Sequence, residues 1–252
     1  MKRTILFVFT TLCLVANVAA SQFKVMVFSK TDGWHHKSIN AGVTAIEKLS
    51  KRHFFDMDWE EDASRINDKN LEQYDAVIFL NTTGNILNDE QQAAFERFIK
   101  GGKGFIGIHS ASDTEYDWPW YTKMVGRTFV IHPTNQTARV SVLDRKFPGT
   151  ETLPDSFLWT DEWYQFGPEL SKDLHYILSV DEKTYEPKAD WGRVKGEGMG
   201  EFHPISWYQF YDGGRSFYTN LGHMREGWQD ALFMKHLYGG IYWAATGKGM
   251  LK

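Results

Sequence analysis

The residues best suited to chemistry in this 252-residue chain are histidines set beside small residues, prolines or tryptophans. His109 ends the apolar run Gly104-Phe105-Ile106-Gly107-Ile108 and is followed by Ser110-Ala111-Ser112-Asp113. Such a run reads as a buried strand, and the small residues around it permit a sharp turn with the histidine at its apex. Ligands of open α/β sheets bind beyond the carboxyl ends of the strands, so the apex marks a site. Many hydrolases of this general build carry Ser or Cys there; a histidine disfavours nucleophilic acyl transfer. Ser110 adjoins His109, but neighbouring residues rarely share a direction, so no Ser/His pair is expected between them.

His35-His36 follow the first apolar segment, and His223 follows Leu221-Gly222. His132-Pro133 and His203-Pro204 are each stiffened by the proline. If the sheet is doubly wound, the first and fourth strands end at one edge, where His35 or His36 can approach His109. Converging imidazoles suit acid/base catalysis near neutral pH or a metal. On this reading His109 and His35 are candidate catalytic groups and His36 a substrate contact, with the roles of His35 and His36 open to exchange. His132, His203 and His223 are candidate ligands of a divalent metal ion. No His-x-x-x-His spacing exists, so only the fold could assemble such a site. His53, His175 and His236 are better read as packing or hydrogen-bonding residues.

Asp161-Glu162, inside Trp159-Thr160-Asp161-Glu162-Trp163-Tyr164, is the most attractive acidic pair. Neighbours on a strand point to opposite faces, so one of the two should reach a pocket. A carboxylate among aromatic rings is expected to have a raised pKa and to act as general acid or base. Asp113, Glu115 and Asp117 read equally as loop charges or a helix cap. Ten tryptophans are the compositional oddity. Trp118, Trp120, Trp163 and Tyr164 are candidate walls that stack on a sugar, against the alternative that they fill the core. Arg215, after the turn Asp212-Gly213-Gly214, is a candidate ligand-orienting cation.

The elements that must position these groups alternate in the first half. Residues 23–28, 54–59, 76–80 and 103–108 read as strands. A helix starting near Ser38, which can act as its N-cap, carries Ile39, Val43, Ile46 and Leu49 on one face. A second is capped by Asn88, with Gln91 three residues on, and is ended by Gly101-Gly102. This alternation predicts right-handed βαβ units and a mainly parallel sheet. Residues 138–143, 174–180, 205–211 and 216–221 read as further strands, the last two joined by a hairpin. A final apolar helix covers residues 229–245, where Gly239-Gly240 permit close packing.

Lys2 and Arg3, the apolar residues 5–15 and Val18-Ala19-Ala20 make residues 1–20 an expected signal peptide, too short to span a bilayer, which needs about 20 apolar residues. Its removal leaves 232 residues, 21–252, expected to form one domain, with 26 basic residues against 32 acidic and a formal charge of −6. It also removes Cys13, the single cysteine, and with it any disulfide, thiolate or Cys-ligated zinc. No basic cluster provides a footprint for nucleic acid, and no segment of the mature chain suggests membrane insertion. The expected partner is a small carbohydrate; the sequence sets no oligomeric state.

The ordered segments resemble the trehalose-utilisation (ThuA-like) family. The likeness shows in Val27-Phe28-Ser29-Lys30-Thr31 with Trp34-His35-His36-Lys37-Ser38, in Leu80-Asn81-Thr82-Thr83-Gly84, and in Gly107-Ile108-His109-Ser110-Ala111-Ser112-Asp113. It continues through Thr160-Asp161-Glu162-Trp163-Tyr164, His203-Pro204-Ile205-Ser206-Trp207 and Leu221-Gly222-His223, almost the length of the mature chain. The resemblance implies a flavodoxin-like three-layer α/β/α sandwich of the class I glutamine amidotransferase kind, with added C-terminal strands. His109 then takes the place of the amidotransferase cysteine, so glutaminase activity is not expected. The family's link to disaccharide use, through oxidised 3-keto sugars, implies an exported hydrolase, lyase or isomerase; the alternative is a sugar-binding accessory protein without turnover.

Overall fold

The computed structural model describes residues 21–251; the expected signal peptide and Cys13 lie outside them. A nine-stranded mixed sheet runs through the molecule in the order β2-β1-β3-β4-β13-β12-β9-β6-β7. Its first half comprises β1 (Lys24–Phe28), α1 (Ile39–His53), β2 (Asp56–Glu60), α2 (Asp68–Leu71), β3 (Ala76–Leu80), α3 (Asp89–Lys100), β4 (Gly104–Ile108) and α4 (Pro119–Val125). Then come β5 (Phe129–Ile131), β6 (Gln136–Val142), β7 (Ser156–Asp161), β8 (Gln165–Phe166), β9 (His175–Asp181), β10 (Ala189–Asp190) and β11 (Lys195–Gly196). The chain finishes with β12 (His203–Tyr211), β13 (Gly214–Thr219) and α5 (Ala231–Thr246).

Strands β2, β1, β3, β4 and β13 are parallel, in the flavodoxin-like order 2-1-3-4-5. Every residue of β3 and β4 is buried, as expected of parallel strands covered on both faces. One face carries α1 and α5, packed through Ile46, Leu49, Leu237 and Ile241. The other carries α3 and α4, packed through Phe95, Phe98, Tyr121 and Met124. From β13 onward the sheet is extended by the antiparallel strands β12, β9, β6 and β7.

The predicted caps are largely realised. Asn88 and Gln91 form a reciprocal capping box on α3. Asp212 and Gly213 both have positive φ (47° and 91°), the geometry of a two-residue turn that follows the twist of β12 and β13. In α5 a Cβ at Gly240 would collide with the Phe217 ring, so this glycine sets how close the helix lies to the sheet. Two expectations change. Ser38 gives no cap bond to α1 and donates instead to the Gly222 carbonyl (3.0 Å). The second strand begins at Asp56 rather than at residue 54, because Phe54 closes α1 in the left-handed conformation (φ 55°). Among the described residues no helix is long and apolar enough to cross a membrane.

His236 on α5 is buried beneath the sheet. Ser206 Oγ donates to the Tyr218 carbonyl (2.8 Å) and so accepts from His236 Nε2 (3.2 Å), which leaves Nδ1 without a partner. Burial pushes the pKa of this imidazole from its ordinary 6.5 down to about 3. The unfolded chain therefore binds a proton below pH 6.5 that the folded chain refuses until about pH 3. Stability is lost as pH falls through that window, by about 1.4 kcal/mol per pH unit for one group. Urea unfolding at pH 6, 5 and 4 is expected to give a slope shallower by about that amount in His236→Gln; parallel slopes for variant and parent would show that His236 is not held neutral.

Candidate active site

The carboxyl ends of β1, β4 and β13 lie at one edge of the sheet, and the loops leaving them carry His36, His109 and His223. The loop after β7 brings Glu162 across from the antiparallel half. Side-chain donor atoms of His36, His109, Glu162 and His223 all lie within 4.8 Å of one another. His109 Nε2 is 3.3 Å from Glu162 Oε2, His223 Nδ1 is 3.1 Å from the same oxygen, and the two nitrogens are 3.2 Å apart. The His36 ring stands edge-on to His109, with centroids 4.9 Å apart. His132, after β5, places Nε2 3.3 Å from Glu162 Oε1.

Backbone strain and hydrogen bonding together aim His109. It begins a 3-10 turn, His109–Asp113, in place of a direct strand-to-helix elbow, and it takes a positive φ of 50°. A non-glycine residue in that region costs on the order of 1 kcal/mol or more and persists only where its surroundings impose it. Here Tyr218 donates its hydroxyl to the His109 carbonyl (2.7 Å), and Nδ1 bonds the Asn220 carbonyl (2.8 Å). A carbonyl only accepts, so Nδ1 carries a hydrogen and Nε2 is the nitrogen that faces the cluster. His132 is arranged alike: Nδ1 donates to the Pro133 carbonyl (2.7 Å) and leaves Nε2 unprotonated.

Asp161 does not enter the cluster. Its buried carboxylate accepts from the backbone N–H groups of Glu162 (3.0 Å), Gly222 (3.1 Å) and His223 (3.2 Å), and from the Trp159 indole (3.0 Å). Gly222, with φ 122°, has the freedom this turn requires. The acidic pair thus divides its work: Asp161 ties down the loop bearing His223, and Glu162 faces the imidazoles.

The expected rise in the Glu162 pKa is corrected. Burial opposes its charge, but hydrogen bonding with His109 and His223 and attraction from His109 and His132 prevail and hold the carboxyl well below the usual range. Burial, aided by the neighbouring imidazoles, pushes His36 down to about 2, so it stays neutral at physiological pH. Burial also lowers His132. For His223 burial acts downward, yet the hydrogen bond with Glu162 raises it overall.

His36, His132, Glu162 and His223 line a cavity of about 510 Å³ whose wall includes Trp34, Phe129, Tyr164 and Trp191, and His109 lies fully buried behind them. Tyr164 packs on His109 with ring centroids 4.2 Å apart. The structure separates the other sequence candidates from this cavity. His35 is exposed, 3.3 Å from the Thr31 hydroxyl, and His36 is the member of the pair that turns inward. His203 is engaged at both nitrogens, by Glu182 Oε1 (2.7 Å) and the Tyr164 carbonyl (2.8 Å), and so supports Tyr164 from behind. Trp163 is fully buried and donates to the Gln136 carbonyl. Trp118 and Trp120 stack on each other at α4, and Trp120 bonds Asp212 at the opposite edge of the sheet. Arg215 pairs in register with Gly104 at that far edge and donates to the Ala244 carbonyl. The stacking surfaces missed by sequence reasoning are Trp34 and Trp191, 69% and 52% exposed at the cavity mouth. Their signal was only proximity, Trp34 standing beside His35-His36.

The family model described as ThuA, trehalose utilisation, matches residues 24–244. The fold is similar to a ThuA-like protein of Bacteroides uniformis, with 26% identity, a TM-score of 0.75 and coverage of 92% of this chain and 94% of that one. A ThuA-like protein of Parabacteroides merdae is similar at 19% identity, TM-score 0.73, over 91% and 92% of the two chains. A β-galactosidase of Bacillus circulans shares the fold alone over 31% of its length and 89% of this chain, at 16% identity and TM-score 0.53. No curated protein sequence matches the chain.

Removing the Asp161 carboxylate would strand three backbone N–H groups and an indole. Asp161→Ala is expected to destabilise the fold by about 2–4 kcal/mol in denaturant unfolding, since unsatisfied buried donors cost about 1–3 kcal/mol each with partial relief by water. Asp161→Asn, which keeps one acceptor oxygen, should lose less. A loss below about 0.5 kcal/mol in Asp161→Ala would mean that the loop does not depend on this anchor.

Proposed function

As this chain belongs to the ThuA, trehalose-utilisation family, we propose that it is an exported enzyme that processes a sugar or 3-keto-sugar glycoside by histidine–carboxylate acid/base chemistry, assisted by one divalent metal ion. The observation that carries this reading is the convergence of His36, His109, Glu162 and His223, their donor atoms within 4.8 Å of one another, beside a cavity walled in part by two exposed indoles. Export is inferred from Lys2-Arg3, the short apolar run and Val18-Ala19-Ala20.

The donor set fits a metal. Three imidazoles and a carboxylate are ordinary ligands for zinc and similar ions. Tetrahedral bonds of about 2.0–2.1 Å set neighbouring ligand atoms about 3.3–3.4 Å apart, close to the 3.1–3.3 Å among His109, His223 and Glu162. The Nε2 of His109 supplies the lone pair, while the Asn220 carbonyl orients the ring from behind as metal-site histidines require. A divalent ion there supplies Lewis acidity to a substrate oxygen. His132, unprotonated at Nε2 and at the cavity wall, accepts a proton from the reacting groups. Trp34 and Trp191 offer apolar ring faces to a sugar.

Metal analysis of protein purified without chelator is expected to find about one equivalent. The ion should be lost in His109→Ala and His36→Ala and kept in His35→Ala. Turnover of 3-keto-glucosides is expected to fall roughly 100-fold or more in His109→Ala and to stay at the parent level in His35→Ala. Full turnover by metal-stripped protein would remove the ion from the reaction, and unchanged turnover in His109→Ala would remove the cluster.

A further inference from the structure

Asp113 closes the 3-10 turn that His109 begins, and it lines the same cavity as Glu162, His132 and His223. Its Oδ1 lies 2.8 Å from the Tyr116 hydroxyl, and that hydroxyl lies 2.8 Å from the Phe129 carbonyl oxygen. Tyr116 has one proton to donate, and the carbonyl can only accept. With Asp113 ionised, Tyr116 must share its one proton or turn it to the carboxylate; with Asp113 protonated, Tyr116 donates to Phe129, accepts from Asp113, and each contact has a proton of its own. The surroundings agree. Burial raises the pKa of Asp113, against the hydrogen bond with Tyr116 and the pull of His109. Among the described residues no ion pair engages it.

The neighbouring acids are already committed. Glu115 accepts from the backbone N–H groups of Ile86 and Leu87 (both 2.7 Å) and from the Gln92 amide (2.8 Å), and Asp117 accepts from Asn85. Asp113 alone of the three reaches the cavity. The Tyr116 hydroxyl can rotate between its two acceptors, so Asp113 is hydrogen-bonded whether charged or neutral. A group that gives up and regains a proton needs that provision.

We propose that Asp113 is the general acid of this site, donating its proton to the oxygen that departs from the sugar; the proposal rests on the glycoside-processing reading above. A half-turn of the carboxyl brings its protonated oxygen to the substrate, while Tyr116 rotates to donate to the other oxygen. The C–O bond to the departing unit breaks with its electron pair on oxygen, which takes the Asp113 proton and leaves as an alcohol. In hydrolysis the hydroxyl of a water joins the sugar carbon, the remaining water proton passes to His132 Nε2, and solvent returns a proton to Asp113.

Asp113→Asn keeps the shape of the side chain and lacks the acid proton. With nitrophenyl 3-keto-glucosides, whose leaving oxygen needs little protonation, the variant should lose less than roughly tenfold in turnover; with the methyl 3-keto-glucoside it should lose roughly 100-fold or more. Equal losses on both would overturn the assignment. An infrared difference spectrum of parent against Asp113→Asn at neutral pH should contain the carbonyl band of a protonated carboxylic acid, and its absence would overturn the proposal independently of turnover. If the parent cleaves neither glycoside, the functional reading fails and the infrared band alone decides the protonation state.

Discussion

The hydrogen bond from His109 Nδ1 to the Asn220 carbonyl is the contact on which the site depends. It exists because β13 runs parallel to β4 with Thr219 opposite Ile108, which sets Asn220 beside His109, the residue that follows β4. The bond fixes the tautomer of His109, helps to hold its unusual backbone conformation, and directs the other ring nitrogen inward. Asn220 serves the opposite side as well. Its amide donates to the Glu162 carbonyl (2.7 Å) and accepts from the Tyr164 N–H (3.3 Å). One residue past the end of the last parallel strand thus aligns the central histidine, the facing carboxylate and the aromatic ring packed against them.

The charge balance in the cluster follows from the same contact. His109 turns Nε2 toward Glu162 and His223, and His132 turns Nε2 toward the carboxylate from its far side. Glu162 is held ionised in spite of burial, and His36 is held neutral because burial and its neighbours both oppose a second positive charge. Imidazole nitrogens from several directions meet around one fixed anion. Such an arrangement is complete only when a single positive charge is shared at its centre, either a proton on an imidazole or a metal ion. Asp161, the second buried carboxylate, uses its oxygens on backbone donors and so leaves this balance undisturbed.

The parallel half of the fold was legible in the sequence because its signals are local. Uninterrupted apolar runs gave β3 and β4, and Asn88 with Gln91 announced α3 before any tertiary contact is considered. The site was legible in part. His109 stands at a strand end in any doubly wound arrangement, but the choice between His35 and His36 depends on how the loop turns into α1, which neighbouring residue types do not encode. The bond from Ser38 to the Gly222 carbonyl governs that loop, and it spans 184 residues. His203 and Arg215 look like functional residues on local company alone, yet Glu182 and the Ala244 carbonyl occupy them. The tryptophans mislead for the same reason: an indole in polar company can sit in the core whenever a carbonyl or carboxylate takes its N–H, as Gln136 does for Trp163 and Glu96 for Trp118. The pKa of Glu162 departs from the expected rise because Trp159 and Trp163 are bonded elsewhere and imidazoles from distant loops surround the carboxylate.

What distinguishes this molecule from a plain five-stranded flavodoxin-like sheet is the antiparallel extension beyond β13. The parallel half supplies His36, His109 and His223 at one edge, as topology dictates for any sheet of this order. Three imidazoles at an open strand edge would be solvated and unremarkable. The extension folds its loops over that edge and contributes Glu162 after β7, His132 after β5, Tyr164 before β8 and Trp191 in the β10–β11 hairpin. These additions provide the anion, the second base, the stacking ring and one of the two exposed indoles. Enclosure lowers the local dielectric and strengthens each of these interactions beyond its worth in water. The chemistry therefore belongs to the seam between the two halves of the sheet, and neither half contains enough of it to act alone.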